Sequence, residues 1–159
     1  MKKILLFFIM CLSINVSAQS IFGIDINTNY KNFSLQLNKK KFKVIKSKKN
    51  IYSCIVTYAG YRNVKLNFTK GHKTDMITDV TLIFPRYKRI SVYEIFNDLN
   101  KQFEVKYQYN DCMKYGDTMY YEYNDNGGKI KILLVSSDLY VIYEPLYKEK
   151  ENVKLSSDI

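Results

Sequence analysis

Val80-Thr81-Leu82-Ile83-Phe84-Pro85, followed by Arg86-Tyr87-Lys88-Arg89-Ile90 and then Ser91-Val92-Tyr93-Glu94-Ile95-Phe96, decides the fold. Val80, Leu82 and Phe84 alternate with their neighbours, the period of a strand with one buried face. Pro85 cannot donate to a ladder and ends that strand. Ser91 and Glu94 have the spacing of a capping box, in which each side chain satisfies the other's free backbone donor. Val92, Ile95, Phe96, Leu99 and Phe103 then form one helical stripe. Period two gives way to period 3.6 across one proline, so the chain is of the α+β class.

The same vocabulary extends in both directions. Toward the N-terminus, Val64, Leu66 and Phe68 alternate with Asn63, Lys65 and Asn67, and residues 51–58 are β-branched and aromatic. Ala59-Gly60 and Lys70-Gly71-His72-Lys73 supply the turns. Residues 42–45 read as extended. Residues 29–40 read as a helix capped by Thr28 or Asn29, with Tyr30, Phe33 and Leu37 on one stripe. Ile21–Ile26 reads as a short lead-in strand. Toward the C-terminus, residues 104–109, 118–123, 129–135 and 139–143 are strand candidates, with turns at 124–128 and 136–138.

The order is one helix and four strands, twice. Leu37-Asn38-Lys39 and Leu99-Asn100-Lys101 rhyme, and Phe42 and Phe103 open the strands that follow. This predicts an internal duplication, with units at 27–85 and 90–146 inside a single domain spanning 19–146. The expected architecture is an eight-stranded, largely antiparallel sheet with both helices on one face. The other face is solvated and carries many of the lysines. Residues 147–159 lack an apolar pattern and read as a flexible tail.

Phe22-Gly23-Ile24-Asp25-Ile26-Asn27, the helix from Phe33 through Leu37 into Lys41-Phe42, and the Val80–Pro85 strand before a second helix resemble a family of small secreted Bacteroidetes proteins. The arrangement is similar to the duplicated helix-plus-four-strand unit of the β-lactamase-inhibitor-protein-like fold. The resemblance covers residues 21–146, implies that fold, and brings no catalytic residues. Lys41 departs from the pattern, since glycine is expected where the first helix ends.

Residues 1–18 set the compartment. Lys2 and Lys3 precede an apolar run from Ile4 to Leu12, and Val16 and Ala18 are the small residues a signal peptidase reads. The run is too short to span a bilayer, and cleavage after Ala18 is expected to release the chain to the periplasm or the exterior. Cys11 follows Met10, inside the apolar run, which argues against a lipid anchor.

The formal net charge of +10 is unevenly spread. No acidic residue stands between Asp25 and Asp75, whereas twelve lysines or arginines do. Lys39, Lys40, Lys41, Lys43, Lys46, Lys48 and Lys49 are the densest part. Such a layout either keeps a surface solvated or makes a directed field for an anionic partner: lipopolysaccharide, an acidic polysaccharide or an acidic protein. Export argues against nucleic acid, and lysine lacks the fork that reads phosphates bidentately.

Catalytic constellations are sparse. His72 is the single histidine and lies between lysines in a turn, without partners at metal-ligand or catalytic spacing. Cys54 and Cys112 are either a disulfide, which an oxidising compartment permits, or two free thiols. Asp111 with Asp117, or Glu122 with Asp125, is the nearest approach to a carboxylate pair, but Asp at loops serves turn geometry. The loop 124–128 carries one carboxylate, too few for calcium, and Gly127-Gly128 sits in a hairpin, where it cradles no phosphate. No cofactor is implied. Nine of the fifteen tyrosines follow residue 100, which makes the second half a candidate contact surface. Tyr121 and Tyr123 share one strand face and are its chosen members.

These features predict a secreted, non-enzymatic binding module of the bacterial envelope that contacts a protein or anionic partner through a Lys-rich, Tyr-bearing surface. An envelope-maintenance factor that binds outer-membrane proteins is the alternative. A hydrolase built on Asp111, Asp117 or Glu122 ranks below both.

Overall fold

A computed structural model describes residues 19–125 and 128–145. The expected signal segment and the tail at 147–159 lie outside them. In chain order the elements are β1 (Ser20–Ile21), β2 (Ile24–Asp25), α1 (Tyr30–Lys39), β3 (Ile45–Lys48), β4 (Ile51–Tyr58), β5 (Tyr61–Lys70), β6 (Ile77–Phe84), α2 (Val92–Lys106), β7 (Gln108–Tyr115), β8 (Thr118–Asp125), β9 (Gly128–Val135) and β10 (Asp138–Pro145). β1 and β2 pair in a small hairpin. The other eight strands form one antiparallel sheet in the order β3-β4-β5-β6-β10-β9-β8-β7.

Each half of that sheet is a meander of consecutive hairpins, and the last strands of the two halves meet in the middle. Val141 stands opposite Leu82, and the ladder runs from Leu139–Phe84 to Tyr143–Val80. Residues directly opposite share a face, so one unbroken row can be followed across seven strands: Cys54, Leu66, Leu82, Val141, Ile132, Tyr121 and Cys112. The adjacent row on that face is Phe68, Val80, Tyr143, Ile130 and Tyr123, every member buried.

Helix α2 forms as its sequence dictates. The Ser91 side chain accepts from the Glu94 N–H at 3.2 Å and the Glu94 carboxylate accepts from the Ser91 N–H at 2.7 Å. Ile95, Phe96, Leu99 and Phe103 are buried. Phe96 meets Tyr121 at 5.4 Å between ring centroids, and Phe103 meets Tyr123 at 5.7 Å. In α1, Asn29 is the cap, accepting from the Asn32 N–H at 2.8 Å, and Phe33 meets Phe68 edge-on at 5.0 Å.

Two boundaries differ from expectation. The strand expected at 104–109 begins instead at Gln108, because the apolar stripe carries α2 through Phe103 and the Tyr107 N–H still bonds the Phe103 carbonyl at 2.8 Å. Phe103 is therefore a buried helical residue and opens no strand. The strand expected at 42–45 begins at Ile45, because the segment before it closes the end of α1. The Phe42 N–H reaches the Leu37 carbonyl at 3.0 Å and the Lys41 N–H reaches the Asn38 carbonyl at 2.9 Å, the paired bonds of a Schellman cap. That cap needs a left-handed residue, and Lys41 takes the role at φ 67°, which costs about 1 kcal/mol relative to glycine.

Glycine is indispensable at one position. Gly128 has φ 148°, and a Cβ there would lie 1.9 Å from the Glu144 carbonyl oxygen on the neighbouring strand. Gly128→Ala is expected to lower stability by about 2–3 kcal/mol, measured by urea denaturation, because backbone must move to admit one methyl.

Candidate functional site

The seven lysines of residues 39–49 occupy a short continuous path, and all are exposed. Lys39 closes the last turn of α1, Lys40 is its C-cap, and Lys41 holds the left-handed cap position. Lys43 precedes β3, Lys46 and Lys48 lie on it, and Lys49 follows. They gather at one edge of the sheet, not on one face, because β3 alternates its side chains about that edge.

Two grooves flank this edge strand. One, of about 420 Å³, is lined by α1 residues Tyr30, Lys31 and Leu35 together with Val44, Lys46 and Tyr52. The other, of about 540 Å³, is lined by Lys41, Lys43, Ile45, Ser53, Ile55 and Lys65. Val44 and Lys46 border the first groove and Lys43 and Ile45 the second; a register shift after Lys46 then sets Lys48 opposite Ile51, on the face of the second groove. Tyr30 and Tyr52 stack at 5.0 Å in the first, with the Lys70 ammonium 5.1 Å from the Tyr30 centroid. Burial raises the Tyr52 hydroxyl above its ordinary value, with the adjacent Tyr30 adding to the shift. Lys41, Lys43, Lys46 and Lys65 form no ion pair with any described acidic residue. Ile45 and Ile55, each more than half exposed, were not among the expected site residues. The signal for Ile55 was the run Cys54-Ile55-Val56 in β4, three successive apolar residues that must place apolar groups on both faces of the sheet.

Tyr121 and Tyr123 are corrected. They do share a face, but it is the buried one. Tyr123 is fully enclosed, with its hydroxyl donating to the Asn100 side chain, and burial pushes the pKa of that hydroxyl well above its ordinary value. Tyr121 is half-buried against Phe96. Period two assigns the two residues to one face without saying which face α2 covers. Tyr120 and Tyr140 lie on the opposite face, in the row Ile55, Lys65, Ile83, Tyr140, Leu133, Tyr120 and Met113.

The two cysteines are free thiols, which corrects the disulfide alternative. They end the same seven-strand row, and its six steps of about 4.8 Å separate them by about 29 Å, far beyond the reach of a bridge. Cys54 is buried, and desolvation pushes its thiol up to about 11. Cys112 is exposed on β7.

Neither expected carboxylate pair forms. Asp117 lies in the β7–β8 turn, while Asp111 accepts from the Cys112 N–H at 2.8 Å and from the Tyr120 hydroxyl at 3.4 Å. Glu122 and Asp125 are an odd number of residues apart on β8 and face opposite ways. Instead the register sets Asp111 opposite Glu122. The Glu122 carboxylate is buried, with Lys129 at 2.6 Å, Lys131 at 3.5 Å and a hydrogen bond donated by the Asn110 side-chain amide. Lys131 also reaches Glu144 at 2.8 Å. Burial works to raise the Glu122 pKa, but the hydrogen bonds from Lys129 and Asn110 outweigh it and the net direction is down. Such a group holds no proton to donate near neutral pH. His72 Nδ1 lies 3.1 Å from the Asn50 amide. Among the described residues no three His, Cys, Asp or Glu side chains are placed to hold a metal ion, and no helix is long and apolar enough to cross a membrane. Comparison with known families, characterised proteins and solved structures returns no match.

Two measurements follow from this geometry. Because folding makes Glu122 more acidic than its ordinary value of 4.5, its contribution to stability is complete above that value and is lost as pH falls through the lower folded one. Glu122→Gln should cost about 1–2 kcal/mol at neutral pH, with the gap to the unmodified chain closing below about pH 4. Ellman's reagent on a chain beginning at Gln19 should label Cys112 in the native state and Cys54 only after denaturation. Prompt labelling of both, or of neither, would contradict the placement.

Proposed function

We propose that the chain is an exported, non-enzymatic interaction module of the bacterial envelope that engages a protein or anionic partner through its lysine-bearing edge. The observation that carries this is the cluster at residues 39–49: exposed, in no ion pair with a described acidic residue, and set around two apolar grooves. Solvated lysines that served solubility alone would need no apolar floor between them. The contact surface in this reading is basic and aliphatic, with Tyr30 and Tyr52 as its aromatic members. A hydrolase is disfavoured because Glu122 is committed to Lys129, Lys131 and Asn110.

The proposal includes a duplicated architecture similar to the β-lactamase-inhibitor-protein-like fold. Its support is the mirrored strand order about the β6–β10 joint. Further support is that Phe33 of α1 and Phe103 of α2 touch Phe68 and Tyr123, members of one sheet row, which favours both helices covering the same face. The rhyme of Leu37 with Leu99 also fits, since both are buried helical residues. The alternative, an envelope-maintenance factor that meets barrel strands, draws on the free edges of β3 and β7.

Envelope extract passed over the immobilised protein tests the main reading. Capture should be strong at about 50 mM salt and largely lost at about 500 mM, where screening shortens to a few ångströms. Replacing Lys39, Lys40, Lys43, Lys48 and Lys49 by serine should reproduce the high-salt result. Capture indifferent to both changes would refute it.

A further inference from the structure

We infer that β3 receives an extended acidic peptide as an added strand, with alternate side chains entering the two flanking grooves; this rests on the lysine-edge reading above and names its partner. Three observations converge. Among the described residues β3 is terminal in the sheet and pairs only with β4, in regular register over Ile45 and Lys46 before a shift ahead of Lys48, and all four of its residues are exposed, so the outer side of its backbone faces no described strand. A strand added there would extend the pleat and send successive side chains to opposite faces. A groove lies on each of those faces directly beside β3: Val44 and Lys46 border one, Lys43 and Ile45 the other. Each combines an apolar floor with lysine, which suits a segment that mixes acidic and aliphatic residues on both of its sides.

Charge selects the partner. Lysines on an edge strand deter pairing between identical copies. The same lysines favour a segment of opposite sign, so one device both blocks self-pairing and admits the ligand. Lys41 adds an independent argument. It lines the second groove while its backbone is held at φ 67°, where glycine would sit without strain. A residue that holds a strained backbone at a cost to stability, and that lines a groove with an exposed cationic side chain, marks a position where the side chain does something the fold does not need.

The experiment uses the protein expressed from its full coding sequence and a labelled peptide, Ac-EEVVEEVV-amide, followed by fluorescence polarisation. Saturable binding that weakens with salt is expected. Two further peptides carry N-methyl groups on alternate residues, one on the odd positions and one on the even. Strand addition uses the amides of a single edge, so one methylated peptide should lose binding by about tenfold or more while the other retains it. Lys43→Glu with Lys46→Glu, one charge reversed per groove, should weaken binding at least about tenfold without lowering the melting temperature. Lys41→Gly should raise or hold the melting temperature and still weaken binding, a split that a structural role alone would not produce.

Equal binding by both methylated peptides overturns the inference, as does unchanged binding by folded charge variants. Binding of lipopolysaccharide micelles with none of the peptide also overturns it, while leaving the wider reading intact. Salt-indifferent capture from envelope extract counts against the wider reading and is read separately.

Discussion

Five residue pairs, from Leu139 opposite Phe84 to Tyr143 opposite Val80, join β10 to β6. This ladder makes one sheet of two meanders, and its residues are nearly sixty positions apart in the chain. Local hairpins can form one after another as each turn closes, but this joint must wait for both halves. Its position also fixes what lies at the rims. Because β6 and β10 are each the last strand of their meander, the first strands, β3 and β7, are driven to the two outer edges. The place where the chain offers unpaired backbone is therefore a consequence of how its centre is closed.

Much of this was legible from the residues alone. The capping box at Ser91, the alternation around Val80 and Val64, and the turn at Ala59-Gly60 are local signals, and local physics satisfies them. What the sequence could not convey is non-local. The stripe ending at Phe103 does not reveal that one further helical turn follows, because Glu104, Val105 and Lys106 suit a helix end and a strand start alike. Tyr121 and Tyr123 were rightly placed on one face. Whether that face lies under α2 depends on where the helix docks, which no period encodes. The cysteines show the same limit, since sequence separation carries no information about strand order.

The site was half legible. The lysines announce themselves by number and by the absence of acids between Asp25 and Asp75. Their arrangement about an edge, one set on either side of β3, required the register. The apolar partners in the grooves come from three elements and were invisible as a group. Lys41 stands where the pattern expects glycine, and it adopts the glycine-like conformation regardless, so the departure from pattern lies in the side chain and not in the backbone.

The two rims are unlike, and the difference limits assembly. Both carry a register shift, but β3 is short and cationic, whereas β7 offers eight exposed residues, with Tyr109, Met113 and Tyr115 among them and one lysine. Like charges oppose pairing of the first rim with a copy of itself, and the second rim carries no such row. Two molecules that met through β7 would leave a repelling margin at each end, so stacking would stop at a pair and could not run on into a fibril.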